Sequence, residues 1–582
     1  MSFRPHRLRL TSVLTLSVAA VLLLPSTQAA AAPGDLDLDF NGLGYNVTNV
    51  DRVDQAYDVA VDSNDRVVVA GFAYSNATAS REFAVVRYDD DGSLDDTFGG
   101  VGKIVTDLGG AGFDDTVNAI AIQPNDKIVV AGTTAVDAVA PAGTADFAVA
   151  RYDTDGALDS AFGGGDGYVT IDFGGDDSGN GVAIDSNGDI AVVGSTNATG
   201  TDFAVAKLDS SGALDSSFDA DGRVTTDING GGDAAAAVAF DPDHKILAVG
   251  AGAGASNRDF ALTRYDSDGG LDTSFDGDGK VSTNGTDRAR AVLIDDADDI
   301  VVAGSYFNIQ TRNTDFGLAR YSSNGTLDPS FGPDGTGKLN VPMRDGGQAE
   351  GLALDSAGHI LAGGFASNGS DRDFALARFE SDGTLSTTFG TGGKAFTSIG
   401  TNDSGRGVAV DSAERIVMGG YTNIGDNADF AAVRYVSEGY RPDGLIKRAS
   451  VVAAYSGDDV YNSTGNGQTV LTKTKRGRLA TFELKVQNDG TGSDAIMVDG
   501  CASSRGFVVS YSDGVSDITA PVTAGTYVVG ELAPGQEETL AMSIKVARSV
   551  PIGKIKGCPV ATTSQTSPTE ADVVLAKVKT VA

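Results

Sequence analysis

The chain has 582 residues, too long for a single hydrophobic core, so two or more modules are expected. Its formal net charge is −36, from 79 acidic against 43 basic residues, which argues against nucleic acid or an anionic membrane as partner and favours cations or basic surfaces. Most of the acid is Asp, and 77 glycines accompany only 15 prolines, a composition of tight turns between short strands rather than of low-complexity disorder.

Arg4, His6, Arg7 and Arg9 precede an apolar run over 13–24 and the small residues Ala29, Ala30 and Ala31. Such a basic, apolar, small-residue succession predicts a signal peptide over 1–31, with an uncleaved anchor as the alternative. Elsewhere the sequence has no apolar run of about 20 residues, so no integral membrane span is expected and the mature chain is placed in the secreted, periplasmic or cell-envelope compartment. Its two cysteines, Cys501 and Cys558, are expected to form a disulfide after export. Two buried thiols are the alternative, and no His lies near enough in sequence to suggest a metal pair.

From residue 35 to 438 one unit recurs, with the Phe of DFAVARYD-like segments at 83, 147, 203, 260, 316, 374 and 430. The spacings are 64, 56, 57, 56, 58 and 56 residues. Each copy carries four short runs of β-branched residues bounded by Asp, Asn and Gly. In the first copy they are YDVAVD, RVVVAG and EFAVVRYD, with YNVTNV before them; in the second, KIVTDL, NAIAIQ, KIVVAG and DFAVARYD. These are strand signals, and no stretch shows sustained helical periodicity, so the chain is read as all-β. A repeated supersecondary unit cannot bury its apolar face alone, so the copies must pack against each other. Composition shifts at 439–449, a turn-rich linker, and a Lys-richer module follows over 450–582.

The pattern GVAVDSxGxIVVAG resembles NHL-like β-propeller repeats, and the unit DFAxARYDxDGxLDxxFGxxGKV resembles the bacterial delta-60 repeat, over about 35–436. The resemblance implies a seven-bladed propeller. Segments such as GVAID (181–185) would be innermost and line a central channel, with DIAVVG (189–194), DFAVAKLD (202–209) and RVTTDI (223–228) following outward. The N-terminal strand near 45–50 would then complete the last blade, whose own strands end at 434–436, and close the ring. An open array of seven self-contained units is the alternative. RLATFELKVQNDGTG (478–492) and GELAPGQEETLAMSIKVARSVPIGK (530–554) resemble bacterial immunoglobulin-like sandwich domains. A disulfide stapling such a sandwich is worth on the order of 3–4 kcal/mol in the chain-entropy picture.

A basic residue recurs at Arg87, Arg151, Lys207, Arg264, Arg320, Arg378 and Arg434, and an Asp at Asp37, Asp95, Asp159, Asp215, Asp272 and Asp328, with Ser386 in the remaining copy. Strand alternation puts Phe147, Val149 and Arg151 on one face and Asp146, Ala148, Ala150 and Tyr152 on the other. An Arg on a packed face needs a partner, and the Asp of LDxxF is the candidate; a feature present once per blade reads as a packing device. The DxDG turns offer paired carboxylates for Ca2+ at Asp89 and Asp91, Asp153 and Asp155, and Asp266 and Asp268. Other copies keep the Gly while losing the acids, which favours the turn reading over the metal.

His244 and His359, at DxxGxI turns, read as solvated turn positions, so neither a Ser-His-Asp site nor a His-based zinc site is specified. No catalytic residue and no organic cofactor is assigned. Pattern-breaking insertions are better ligand candidates than repeated residues: 133–145, and 305–314 with Tyr306, Phe307 and Arg312. The reading that results is an exported, non-enzymatic protein binding a protein or glycan through propeller loops. The alternatives are a carbohydrate hydrolase or lyase using Asp62, Asp185, Asp241, Asp295, Asp355 or Asp411 at the channel mouth, and a surface-layer component.

Overall fold

A computed structural model describes residues 33–135, 144–198, 200–253, 258–284, 288–295, 297–425, 427–437, 442–449, 455–456, 468–488, 490, 494–533, 536–565 and 571–582. The signal-peptide expectation over 1–31 and most of the 133–145 insertion lie outside these residues. No helix among the described residues is long and apolar enough to cross a membrane.

The described residues are all-β apart from a five-residue helix at Thr519–Thr523 and a short 3-10 turn at Gly163–Gly165. Strands Asp54–Val61, Val67–Ser75, Ser80–Tyr88 and Lys103–Thr106 hydrogen-bond in that order as an antiparallel sheet. Sheets of the same order begin at Asp115–Ile122, Asp177–Ile184, Ala234–Phe240, Arg288–Ile294 and Gly347–Leu354. A further sheet takes Thr401–Val410, Ile416–Ile424 and Asn427–Tyr435 from the end of the repeats and its fourth strand, Tyr45–Thr48, from their beginning. Each sheet packs on the next through its first strand, and Asp54–Val61 packs on Thr401–Val410, which completes the circuit. Both edges of the repeat array are thereby covered.

Alternation along the third strand explains how one sequence serves two interfaces. Ala148, Ala150 and Tyr152 pack with Val68, Phe83, Val85 and Phe98 of the preceding sheet, while Phe147 and Val149 pack with Ile190, Val192 and Ala204 of the following one. Small alanines let one face approach closely and Phe fills the other. The Tyr152 hydroxyl donates to Thr106 Oγ1 of the preceding outer strand at 2.9 Å, and Tyr88 donates likewise to Thr48 of the N-terminal strand at 2.8 Å.

The repeated arginine is buried beside the repeated acid, and Lys207 stands half-buried in its place in one copy. Arg87 Nε donates to Asp95 Oδ2 at 2.7 Å, Arg151 Nε to Asp159 Oδ2 at 2.7 Å, and Lys207 Nζ to Asp215 Oδ2 at 2.9 Å. Each of these arginines also lies over the Phe of its own LDxxF segment: Arg87 is 4.5 Å from the Phe98 centroid and Arg151 is 4.6 Å from that of Phe162. Where Asp is replaced, Arg378 Nη2 donates to Ser386 Oγ at 3.1 Å. Arg434 and Asp37 make the same pair at 2.8 Å across nearly the whole repeat region.

The C-terminal module packs two sheets on one core. Pro442–Arg448, Leu479–Asn488, Glu537–Val546 and Phe507–Ser512 form one sheet. Thr469–Lys475, Ala571–Val581, Ile555–Ser564, Asp494–Gly500 and Tyr527–Leu532 form the other. Phe482, Val498, Tyr511, Met542 and Val578 fill the space between them. Pro442–Arg448 belongs to the sandwich rather than to a linker, because its backbone pairs along its whole length with Leu479–Asn488. Cys501 and Cys558 are joined in a disulfide.

Candidate functional site in the central channel

The first strand of each of the seven repeat sheets carries a β-bulge, and the residue it expels from the ladder is Tyr57, Asn118, Asn180, Ala236, Arg290, Glu350 or Arg406. A bulge leaves one residue unpaired and re-aims its side chain. Opposite each bulge the second strand has the Gly of its VVAG segment. A Cβ on Gly304 would lie 1.8 Å from the Arg288 carbonyl oxygen, and one on Gly420 would lie 2.0 Å from that of Ser404. The repeated Gly is therefore the condition for the bulge, and the bulge positions the side chain.

All seven expelled residues line one cavity of about 370 Å3, with Arg288 at its edge. One wall is polar and uncharged. Asn118 Nδ2 donates to the Gly179 carbonyl at 2.8 Å and Asn180 Nδ2 to that of Ala235 at 2.8 Å, so each bridges two sheets, and the Asn180 amide oxygen accepts from Ser178 Oγ at 3.0 Å. The other wall is charged. Glu350 lies between two arginines, 3.0 Å from Arg406 Nη1 and 3.7 Å from Arg290 Nε. The Arg406 guanidinium is 5.4 Å from the Tyr57 ring centroid, which closes the circle of side chains.

Burial raises the Glu350 pKa, an effect opposed by Arg406, Arg290 and Arg372. Burial acts to lower that of Arg406, but the Glu350 carboxylate and the Tyr421 hydroxyl leave it raised overall. Burial likewise raises the Tyr57 pKa. The Nε atoms of Arg290 and Arg406 are buried and donate no hydrogen bond among the described residues. Two cations, Arg290 and Arg406, thus flank a single carboxylate, and the exposed Arg288 lines the same cavity, inside a chain of net charge −36. A low-dielectric cleft of one sign concentrates oppositely charged ligands. Guanidinium groups of this kind can hold an anion through paired hydrogen bonds, and amide and phenol groups can meet neutral polar atoms.

The residues singled out from the sequence fall elsewhere. Asp62, Asp185, Asp241, Asp295, Asp355 and Asp411 do not line the cavity, a correction to the channel-mouth expectation. Each caps the turn after its first strand: Asp62 Oδ1 accepts from the amides of Asn64 and Arg66 at 2.9 and 3.0 Å, and Asp185 Oδ1 from those of Asn187 and Asp189 at 2.8 and 2.9 Å. Asp followed by a turn satisfies its own backbone, and that local bond wins over exposure to the channel. His244 and His359 are not simply solvated, since each Nδ1 lies 2.8 Å from a buried carboxylate, that of Asp185 and Asp355 respectively.

The acids of the DxDG turns are likewise occupied. Asp91 Oδ1 accepts from the Ser93 amide and hydroxyl, Asp155 from the Ala157 amide and Asp268 from the Gly270 amide. Asp153 pairs with Lys127 and Asp266 with Lys245, each at 2.9 Å, and Asp89 sits at the turn with its pKa raised by burial. Tyr306, Phe307 and Arg312 lie on the hairpin joining Ile300–Asn308 to Asn313–Tyr321, with Phe307 43 % exposed. That hairpin stands at the channel-arginine end of its sheet, since Ser305 pairs with Arg288 in register.

The bulge residues were legible as a column in the repeats. The segments YDVAV, NAIAI, NGVAI, AAVAF, RAVLI, EGLAL and RGVAV share an apolar character at their last three positions and, except for Asp58, a small residue at the second, while the first varies in chemistry.

Six stretches match one family. Residues 63–98, 123–162, 186–218, 242–275, 298–331 and 358–389 match the family described as "Domain of unknown function (DUF5122) beta-propeller". No curated protein matches the chain. Among solved structures, an ulvan lyase of polysaccharide lyase family PL25 aligns over 68 % of this chain and 95 % of its own at 12 % identity, with a TM-score of 0.39. The β-propeller domain of the trilobed protease from Pyrococcus furiosus, described as having an open velcro topology, aligns over 64 % and 91 % at 8 % identity and TM-score 0.35. An endo-arabinase from Bacteroides thetaiotaomicron aligns over 45 % and 94 % at 10 % identity and TM-score 0.26. No functional weight rests on likenesses at this level.

Proposed function

We propose that the chain is an exported, non-enzymatic binding protein. It comprises a signal peptide, a seven-bladed propeller of delta-60 type closed by its N-terminal strand, and an immunoglobulin-like sandwich that serves as spacer or second binding module. Its ligand is an acidic glycan, held by a carboxylate at the channel arginines. One observation carries this reading: three arginines line a cavity of about 370 Å3 that holds one carboxylate, two of them paired with it, while the chain as a whole is strongly acidic.

A cavity of that size admits one or two sugar rings and is too small for a folded protein surface. The Asn118 amide oxygen suits a hydroxyl donor, whereas that of Asn180 already accepts from Ser178 Oγ at 3.0 Å. The hairpin with Tyr306, Phe307 and Arg312 stands at the same end and offers an aromatic rim for the rest of the chain. Two-carboxylate glycoside chemistry is not favoured, because Glu350 is the sole acid among the residues lining the cavity and is held by arginines.

Calorimetric titration with uronate oligosaccharides and their neutral counterparts tests the reading. Binding is expected for the acidic series alone, weakened about 10- to 100-fold by Arg406→Gln, as loss of a charge-assisted hydrogen bond dictates. Equal binding of neutral and acidic sugars, or wild-type affinity in Arg406→Gln, would overturn it. Preference for acidic peptides over uronates would replace the glycan by a peptide.

A further inference from the structure

Two inter-sheet joints bring three carboxylates together: Glu82 with Asp107 and Asp115, and Asp146 with Asp172 and Asp177. In each trio one oxygen per residue lies within 4.8 Å of the others. Asp202, Asp227 and Asp233 repeat the geometry in the next joint. The positions are equivalent: one acid on the third strand, one just after the outer strand, and one at the start of the next sheet's first strand. Among the described residues, no Lys, Arg or His forms an ion pair with any of the first six acids.

Glu82 supplies an observation beyond proximity. It is 1 % exposed, its Oε1 accepts from Thr78 and Ser80, and its Oε2 is buried with no hydrogen-bond donor. A buried carboxylate oxygen without a donor is costly unless something positive meets it.

The other joints show what the protein does when no third acid is present. At the position of Asp107, the remaining copies have Asn49, Asn284, Pro342 and Ser398. Asn49 Nδ2 donates to Asp429 at 2.9 Å, so an amide replaces the carboxylate and satisfies its neighbour. Asp373, which corresponds to Glu82, is instead ion-paired with Arg344. An internal donor or cation therefore stands at these joints, whereas Glu82, Asp107 and Asp115, and Asp146, Asp172 and Asp177, converge where no Lys, Arg or His among the described residues forms an ion pair with them. Asp146 is pushed up to about 6 by burial, with Asp172 and Asp177 adding to the rise. Burial also raises Glu82, Asp115 and Asp177.

We propose that Glu82, Asp107 and Asp115, and likewise Asp146, Asp172 and Asp177, are Ca2+ sites that lock consecutive blades together, with Asp202, Asp227 and Asp233 as a third of the same kind. An all-oxygen donor set suits a hard divalent cation, and carbonyls and water complete the six to eight ligands that Ca2+ takes. The proposal is independent of the channel ligand.

The test uses the full chain stripped with EDTA. Calorimetric titration with CaCl2 is expected to show two to three ions per chain, and the melting temperature to rise by several degrees at millimolar Ca2+. The variant Asp107→Asn/Asp172→Asn/Asp227→Asn copies the residue the protein itself uses at 49 and 284. It is expected to keep the wild-type far-UV spectrum, to melt above the stripped wild type, and to give no Ca2+ response. No binding at millimolar Ca2+, an equal shift with NaCl at matched ionic strength, or undiminished binding in the variant would each overturn the proposal.

Discussion

Replacing Asp37 by Ala tests whether the two ends of the repeat region form one cooperative unit. Arg434 is 1 % exposed and Asp37 7 %, with Nε to Oδ2 at 2.8 Å, so the substitution leaves a buried guanidinium without its main counter-charge. Breaking a buried pair by removing one partner costs about 3–5 kcal/mol. Arg434 Nη1 keeps the Asp90 carbonyl at 2.7 Å and its carboxylate at 2.9 Å. The latter is 56 % exposed and screened, so the expected loss lies near the low end, about 3 kcal/mol. Asp95→Ala is the comparison, since it breaks the equivalent pair inside a continuous blade. Urea unfolding of the full chain, followed by near-UV circular dichroism of the tyrosines, gives both values. Asp37→Ala is expected to cost about as much as Asp95→Ala, and Asp37→Ala/Arg434→Met to recover part of the loss, because no charge is then left buried. A loss under about 1 kcal/mol for Asp37→Ala beside about 3 kcal/mol or more for Asp95→Ala would show that the N-terminal strand frays independently, and would refute the closed-ring reasoning.

Other consequences are equally direct. Gly304→Ala, whose Cβ would lie 1.8 Å from the Arg288 carbonyl, should cost about 1–3 kcal/mol and weaken acidic-ligand binding by shifting Arg290, whereas Gly530→Ala, with nothing within 4 Å, should be neutral in both assays. Asp54, Asp58 and Asp146 are pushed up to about 6 chiefly by burial, so the folded chain binds these protons more tightly than the unfolded one. Stability in EDTA should therefore rise as pH falls from 7 toward 5; His359, its pKa raised first by the hydrogen bond to Asp355, acts in the same direction. The acids held near 2, Asp159 and Asp215, withdraw their contribution only below the unfolded value of about 3.9, and a melting temperature that falls between pH 7 and 5 would contradict the assignment. Cys501→Ser/Cys558→Ser opens a span of 57 residues and should destabilise the sandwich by about 4 kcal/mol while leaving the propeller transition in place; a shift of both transitions would show that the modules unfold together.

The repeat period, the all-β character and the pairing of the recurrent Arg with the Asp of LDxxF were legible because each rests on local or strictly periodic information. Alternation assigns strand faces, Gly and Asp mark turns, and an Arg at a packed position requires an acid. The same locality misled the reading of Asp62 and its equivalents. A strand-end Asp looks available in sequence, yet its oxygen bonds the amides two and four residues on, as Asp62 does with Asn64 and Arg66. Only the tertiary structure decided which residues meet across blades. A bulge shifts the register by one residue, and that single step turns Arg290, Glu350 and Arg406 into a common cavity from positions 56 to 60 residues apart. The carboxylate trios have the same origin, since Asp107 and Asp115 come from consecutive sheets and meet Glu82 only at the joint. Sequence by itself determined a repeat whose copies must pack against each other; closure, and the convergence of unlike residues from different repeats, are properties of the circuit, which no single unit contains.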